Sequence, residues 1–294
     1  MLFVDVTWRV VDDDIKPYMV FWNPESTKID LQILEQNEHI SWTIDGPAMC
    51  IGYRDNKGNH IPCPEKMILQ PGRTQCGPCS ALDKQEPCAR CDGTMCSAST
   101  EKFEKCRDTE YAIYLVLIGD IIKVGVSTAR RVKIRWIEQG ADYGTIVTTV
   151  KGGDKARRLE SQISRLTDTS KAVRTSQKIK SMSTAIDNQT AELRINEVLR
   201  DLEKSVSIAN PKIEALADHY GFSSLESVPQ EISFNKKSQR TDIVGDVVGV
   251  KGAVMLITVP GSISALNLKK MRGRLVTNNP NASIIAQSGL DEFF

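Results

Sequence analysis

Tyr111-Ala112-Ile113-Tyr114-Leu115-Val116-Leu117-Ile118-Gly119-Asp120-Ile121-Ile122-Lys123-Val124-Gly125-Val126-Ser127 is the stretch that decides how this chain folds. An unbroken apolar run from Tyr111 to Ile118 reaches the turn pair Gly119-Asp120, and Ile121 to Val126 returns, which reads as a β-hairpin. Ser127 is placed to cap a helix running to about Gln139, with Gly140 as its stop. Gly144 to Val150 reads as a third strand. Asp154 is placed to cap a helix to about Leu166, and more helix is expected between Asn188 and Ser205. This defines an α/β unit over 108–210.

On the first helix Arg131, Arg135 and Gln139 are four apart and share one face, while Val132 and Trp136 form the apolar stripe beside it. The arginines are therefore expected to point outward, near the sheet edge where Lys123 emerges. Two guanidiniums beside an ammonium make a phosphate site. Glu160, with Arg157 a turn earlier, offers a carboxylate, and one carboxylate plus phosphate oxygens is enough for a magnesium ion that keeps several waters.

All eight cysteines lie between residues 50 and 106. Cys76 with Cys79, and Cys88 with Cys91, have the two-residue spacing of metal-binding knuckles, so these four are expected to hold one structural zinc. Cys50, Cys63, Cys96 and Cys106 remain for a second zinc, with His60 as a substitute ligand. The segment 49–107 is rich in Gly, Pro and Cys and poor in apolar periodicity, so metal is expected to supply its stability. Four thiolates saturate a zinc and leave no position for a reacting water.

Upstream, residues 2–11 and 17–44 read as short strands of an N-terminal β-domain, 1–48. Downstream, Asp242 to Val250 and Ala253 to Val259 flank Lys251-Gly252 as a hairpin, and Leu275 to Ile285 adds strand. Gly245, Gly249 and Gly252 suggest a small, tightly curved barrel over 211–286. The fold class is thus α+β: N-terminal β-domain, zinc segment, α/β unit, C-terminal barrel, and a flexible tail, 287–294.

The charged fraction of 26% and 40% hydrophobic content are those of a soluble globular protein. No apolar run is long enough to cross a bilayer, and the N-terminus lacks the form of a signal peptide, so the cytoplasm is the expected compartment. Net charge is only +1, but it is unevenly spread. Residues 1–75 carry 7 basic and 11 acidic side chains, whereas residues 107–210 carry 18 and 13, a basic middle suited to phosphate.

Ala112-Ile113-Tyr114, followed by Lys123-Val124-Gly125-Val126-Ser127, Arg131, Arg135 and Glu160, resembles the GIY-YIG nuclease superfamily, especially the branch whose second motif reads K-[IV]-G-x-[ST]. With the upstream cysteines, the chain also resembles an uncharacterised archaeal-type family of zinc-bearing GIY-YIG-like proteins. The resemblance implies a metal-dependent endonuclease. Tyr114 would be the first motif's tyrosine, Arg135 would stabilise charge on the scissile phosphate, and Glu160 would hold Mg2+ or Mn2+. Ala112 stands where the first motif has Gly, Gln139 where the family often has His, and Lys123 where the second motif has Tyr, which leaves the general base open.

The tail Gln287-Ser288-Gly289-Leu290-Asp291-Glu292-Phe293-Phe294 places two of the chain's seven Phe together. A helical turn would put Leu290, Phe293 and Phe294 on one face, approached by Gln287. It resembles the PIP box that docks on the sliding clamp PCNA. Together these resemblances imply a PCNA-tethered DNA-processing enzyme acting on branched or damaged DNA in replication or repair. The alternatives are a non-catalytic nucleic-acid-binding adaptor and a zinc-containing RNA-binding protein.

Overall fold

Leu2–Val11 and Leu275–Asn278 lie side by side in one sheet, paired at Leu2 and Leu275. The structure, a computed structural model, describes residues 1–23, 25, 28–234 and 240–282. Gln287, Leu290, Phe293 and Phe294 lie outside the described residues, as does the end of the expected last strand beyond Ala282.

The N-terminal strands are β1 (Leu2–Val11), β2 (Asp14–Trp22), β3 (Ile29–Ile33) and β4 (His39–Asp45). A short hairpin follows, β5 (Tyr53–Arg54) and β6 (His60–Ile61), then helices α1 (Gly77–Leu82), α2 (Glu86–Ala89) and α3 (Thr100–Asp108). The middle of the chain forms β7 (Glu110–Ile118), β8 (Ile121–Thr128), a 3-10 turn (Ala129–Arg131), α4 (Val132–Gln139), β9 (Tyr143–Lys151), α5 (Gly153–Leu166), α6 (Thr175–Ser181), α7 (Asn188–Leu202) and β10 (Glu214–Ala215). The remainder is β11 (Gln230–Glu231), β12 (Thr241–Lys251), β13 (Val254–Val259), β14 (Ser262–Asn267), a 3-10 turn (Leu268–Met271) and β15 (Leu275–Asn278).

These strands make a mixed α+β architecture with two principal sheets. Nine strands run in the order β11-β14-β13-β12-β4-β15-β1-β2-β3, and four in the order β10-β9-β7-β8. The larger sheet differs from the separate N-terminal domain and C-terminal barrel that the sequence suggests. β4 sits between β12 and β15, with Ile44 opposite both Thr241 and Val276, so described strands from the 1–48 and 211–286 segments share one sheet. The curvature anticipated from glycines is local to β12. A Cβ on Gly245 would stand 2.0 Å from the Thr258 carbonyl oxygen, and one on Gly249 as close to that of Tyr220.

The unbroken apolar run of β7 has a direct cause: both of its faces are covered. Ile113, Leu115 and Leu117 face α5 and α7, packing with Ala156, Ile163, Ile195 and Leu199. Ala112, Tyr114, Val116 and Ile118 face the other way, toward Val132, Trp136 and Ile137 of α4 and toward the large sheet through Trp8, Ile243 and Val250. α4 is therefore a filling between two sheets. Burying Trp136 or Ile137 there contributes about 1.5–3 kcal/mol each. Gly140 ends α4 in the left-handed conformation, φ 70°. Asp187 caps α7 by accepting from the Thr190 amide at 2.7 Å.

Two helix starts differ from expectation. Ser127 belongs to β8, and the α-helix begins only at Val132, after the 3-10 turn. Gly152 is the cap of α5, while Asp154 lies inside its first turn and pairs with Arg158. Among the described residues no helix is long and apolar enough to cross a membrane.

Candidate phosphate-facing site and thiolate cluster

Tyr114 on β7 pairs across the hairpin with Gly125 on β8. Its ring lies over that glycine, where no side chain intervenes. It meets Trp136 of α4 edge to face, centroids 6.1 Å apart. At 1% exposure it is a core residue, and burial raises its hydroxyl above the usual phenol value. Gln139 Nε2 donates to that hydroxyl, and the Arg135 guanidinium also faces it. Tyr114 is thus the buried post against which Arg135 rests.

Lys123, two residues before Gly125, sits among Glu160, Arg135 and Arg157. Its ammonium donates to the Val124 carbonyl at 3.0 Å. Burial lowers its pKa to about 8, with the charges of Arg135 and Arg157 adding and that of Glu160 opposing. Glu160 is largely enclosed and pairs with Arg157 at 3.1 Å, one helical turn away on α5. Four of the five residues singled out by sequence, Tyr114, Lys123, Arg135 and Glu160, thus come together from four elements.

Arg131 stands apart. It lies in the 3-10 turn, half exposed, and pairs with Glu138 at 2.8 Å, while Arg135 reaches the same carboxylate at 3.1 Å. The expected outward face of Arg131, Arg135 and Gln139 is not present, because Gln139 is only 6% exposed and turns inward. The helix starts at Val132, so Arg131 has left the register that a longer helix would impose.

Two cations were missed. Lys178 on α6 donates to the Gln139 carbonyl at 2.5 Å. Burial, then the charges of Lys269, Lys123, Arg135 and Lys251, lower it to about 7. Lys269, from the 3-10 turn after β14, is lowered by burial and by Arg272 and Arg135. A short basic helix without apolar periodicity carries no local sign that it closes a site. Burial is the first cause at each of these lysines and the neighbouring positive charges add to it, which makes the cluster a candidate anion site. Glu160 is the carboxylate that acts on both Lys123 and Tyr114, so an oxygen-loving cation would find a single protein ligand there. A concavity of about 460 Å3 along the end of α7, near Leu199 and Pro211, shares no residue with this site.

The second centre is a thiolate cluster. The Sγ atoms of Cys50, Cys63, Cys76 and Cys79 all lie within 4.8 Å of one another, and all four residues are buried. An ion with Zn–S bonds of about 2.3 Å holds its sulfurs roughly 3.8 Å apart, and the Cys63 and Cys76 sulfurs are 4.0 Å apart. The amides of Cys76 and Gly52 donate to Cys50 Sγ at 3.2 and 3.4 Å, the polarisation a thiolate ligand wants. Burial pushes the Cys50 thiol up to about 11 and raises Cys79 as well, so these two favour the neutral thiol where no cation sits beside them. The four cysteines are themselves the local core, lined by Tyr53 and Leu69. This donor set fits a structural zinc.

The grouping corrects the one expected from spacing. Cys76 and Cys79, at the start of α1, are completed by Cys50 and Cys63, which flank the β5–β6 hairpin, and not by Cys88 and Cys91. A two-residue spacing identifies half a site, but hairpin geometry selects the other half. His60 is not among the four.

Residues 39–276 match the family described as "Protein of unknown function (DUF2797)", and the chain belongs to that family. No curated protein and no solved structure matches the chain.

Proposed function

We propose that the protein binds and cleaves DNA phosphodiester bonds at the Tyr114–Lys123–Arg135–Glu160 site, tethered to the sliding clamp PCNA through Gln287, Leu290, Phe293 and Phe294. The single observation that carries the reading is the meeting of those four side chains, joined by Lys178 and Lys269, in a field of concentrated positive charge. Arg135 and Lys178 would take the phosphate oxygens. Lys123, near 8, is partly neutral at neutral pH and can accept the proton of an attacking water. Tyr114 acts through Arg135, holding its guanidinium in place. Mg2+ or Mn2+ at Glu160 would neutralise charge on the scissile phosphate. Tethering suits a chain of net charge +1, since it raises local concentration without strong intrinsic affinity for DNA.

The test is cleavage of labelled flapped or branched DNA by the full chain with added Mg2+ or Mn2+. Cleavage lost in Glu160→Ala and Arg135→Ala, with the melting temperature retained, supports the reading. DNA binding without cleavage under every metal favours the adaptor, to which the pairing of both Arg131 and Arg135 with Glu138 already leans. A clamp pull-down with Phe293 and Phe294 replaced by Ala tests the tether: retained binding refutes it.

A further inference from the structure

The stretch between the first thiolate cluster and β7 has almost nothing to hold it. From Lys84 to Thr109, among the described residues, only Gly93 is buried. Helix α3 contributes no buried residue, and the large side chains nearby, Met95 and Phe103, face solvent. A segment like this cannot be ordered by apolar burial, and cross-links or metal are the usual substitutes.

The four cysteines left over by the first cluster are all in this stretch, unpaired by disulfide. Cys88 and Cys91 form a knuckle at the end of α2, and the thiol neighbours of Cys88 are Cys106, Cys96 and Cys91. Cys106 is placed from outside the segment: Tyr111 Oη donates to its sulfur at 3.4 Å, and a Cβ on Gly153 would stand 2.5 Å from that sulfur. The loop between Cys91 and Cys96 is placed by the same helix. Gly93, with φ 86°, lies so close to α5 that a Cβ would meet the Asp154 carbonyl oxygen at 2.5 Å. Both sides of the cysteine set thus rest on the first turn of α5, one to two turns before Glu160.

We propose that Cys88, Cys91, Cys96 and Cys106 form a second four-thiolate zinc site, which clamps the 84–109 segment onto the start of α5. Soft thiolate donors in this number select zinc among the common divalent ions. Tyr111 supplies the hydrogen bond to a ligand sulfur that such sites carry around them. Among the described residues no three of these sulfurs are gathered to 4.8 Å as those of the first cluster are, so ion binding here has to draw the Cys88–Cys91 knuckle, the exposed Cys96 and Cys106 together. The site is independent of what the phosphate-facing groups do.

The experiment is metal analysis of the full chain, purified under reducing conditions with zinc. Two zinc ions per chain are expected, with all eight thiols shielded from Ellman's reagent until a chelator and denaturant are added. Replacing Cys96 and Cys106 by Ser should lower zinc from two ions to one and leave two thiols, Cys88 and Cys91, reactive. One zinc per chain in the unaltered protein, with four thiols reacting at once, overturns the proposal. So does a disulfide among the four in the reduced preparation, or a double variant that keeps both ions. If the double variant does not fold, the zinc content and thiol count of the unaltered chain decide alone.

Discussion

The ring of Tyr114 occupies the space that a side chain at Gly125 would need: a Cβ built on Gly125 would stand 2.5 Å from Tyr114 Cζ and Oη. The two residues are direct cross-strand partners, so the glycine is the condition for the tyrosine's pose. Replacing Gly125 by Ala should push the ring off its Gln139 and Arg135 contacts and cost about 1–3 kcal/mol, the usual effect of overpacking a filled core. A thermal melt that does not move would show that the ring has another place to go.

Lys123 and Lys178 are depressed by burial to about 8 and about 7, from an ordinary value of 10.5. Between about 7 and 10 the unfolded chain therefore holds more protons than the folded one. Stability from these two groups rises with pH across that window and falls as pH drops through it. Lys178→Met should flatten the rise, as read by urea unfolding at several pH values. A slope of the opposite sign in the unaltered protein would contradict the placement of these lysines.

An anion held by Arg135 and Lys178 reverses the penalty at Lys178, because it favours that lysine's charged form. Binding of a short phosphodiester should therefore be accompanied by proton uptake near pH 8, and affinity should weaken as pH rises to 9. Calorimetry in buffers of different ionisation enthalpy measures the uptake directly. Binding with no proton exchange would place the ligand elsewhere.

Zinc removal should act locally. With Cys79 replaced by Ser, the buried set Cys50, Cys63 and Cys76 loses its fourth ligand, and the segment around the β5–β6 hairpin loses the cluster that serves as its local core. Limited proteolysis should cut between residues 49 and 83, while the two large sheets keep their circular-dichroism signal. Resistance to protease in the metal-free variant would mean that something other than metal orders the segment.

Lys251, at 3% exposure, pairs with Asp142 and ties the end of β12 to the four-stranded sheet. Asp142 also accepts from the Gly119 amide at 2.7 Å. Lys251→Ala leaves that carboxylate without its cation, a loss of about 3–5 kcal/mol, and Asp142→Asn in the same chain should recover part of it. A double variant whose loss equals the sum of the losses from Lys251→Ala and Asp142→Asn alone would show that the pair is not coupled.

Sequence alone carried the hairpin at Gly119-Asp120 and the helices ending at Gly140 and beginning near Asn188, because each is written in neighbouring residues; the turn expected at Lys251-Gly252 falls one residue later, at Gly252-Ala253, since Lys251 pairs with Val254. A turn pair, a stop glycine and an apolar period act over a few positions. Of the candidate site, sequence offered the members but not their meeting. Tyr114, Lys123, Arg135 and Glu160 stand in a recognisable order, and hairpin, helix and helix each deliver one or two of them. Arg131 was misjudged because one unseen 3-10 turn changes the angle at which a side chain leaves the helix.

What only the tertiary structure decided are the meetings between distant segments. The union of β1, β4, β12 and β15 in one sheet brings together residues from 197 to 273 positions apart, as in Ile44 with Thr241 and Leu2 with Leu275. Backbone pairing at that distance imposes no pattern on either strand beyond the alternation each already has. The arrival of Lys178 beside Lys123 and of Lys269 beside Lys178, and the choice of Cys50 and Cys63 as partners for Cys76 and Cys79, are of the same kind. Local chemistry sets which groups each element offers, and packing sets which offers meet.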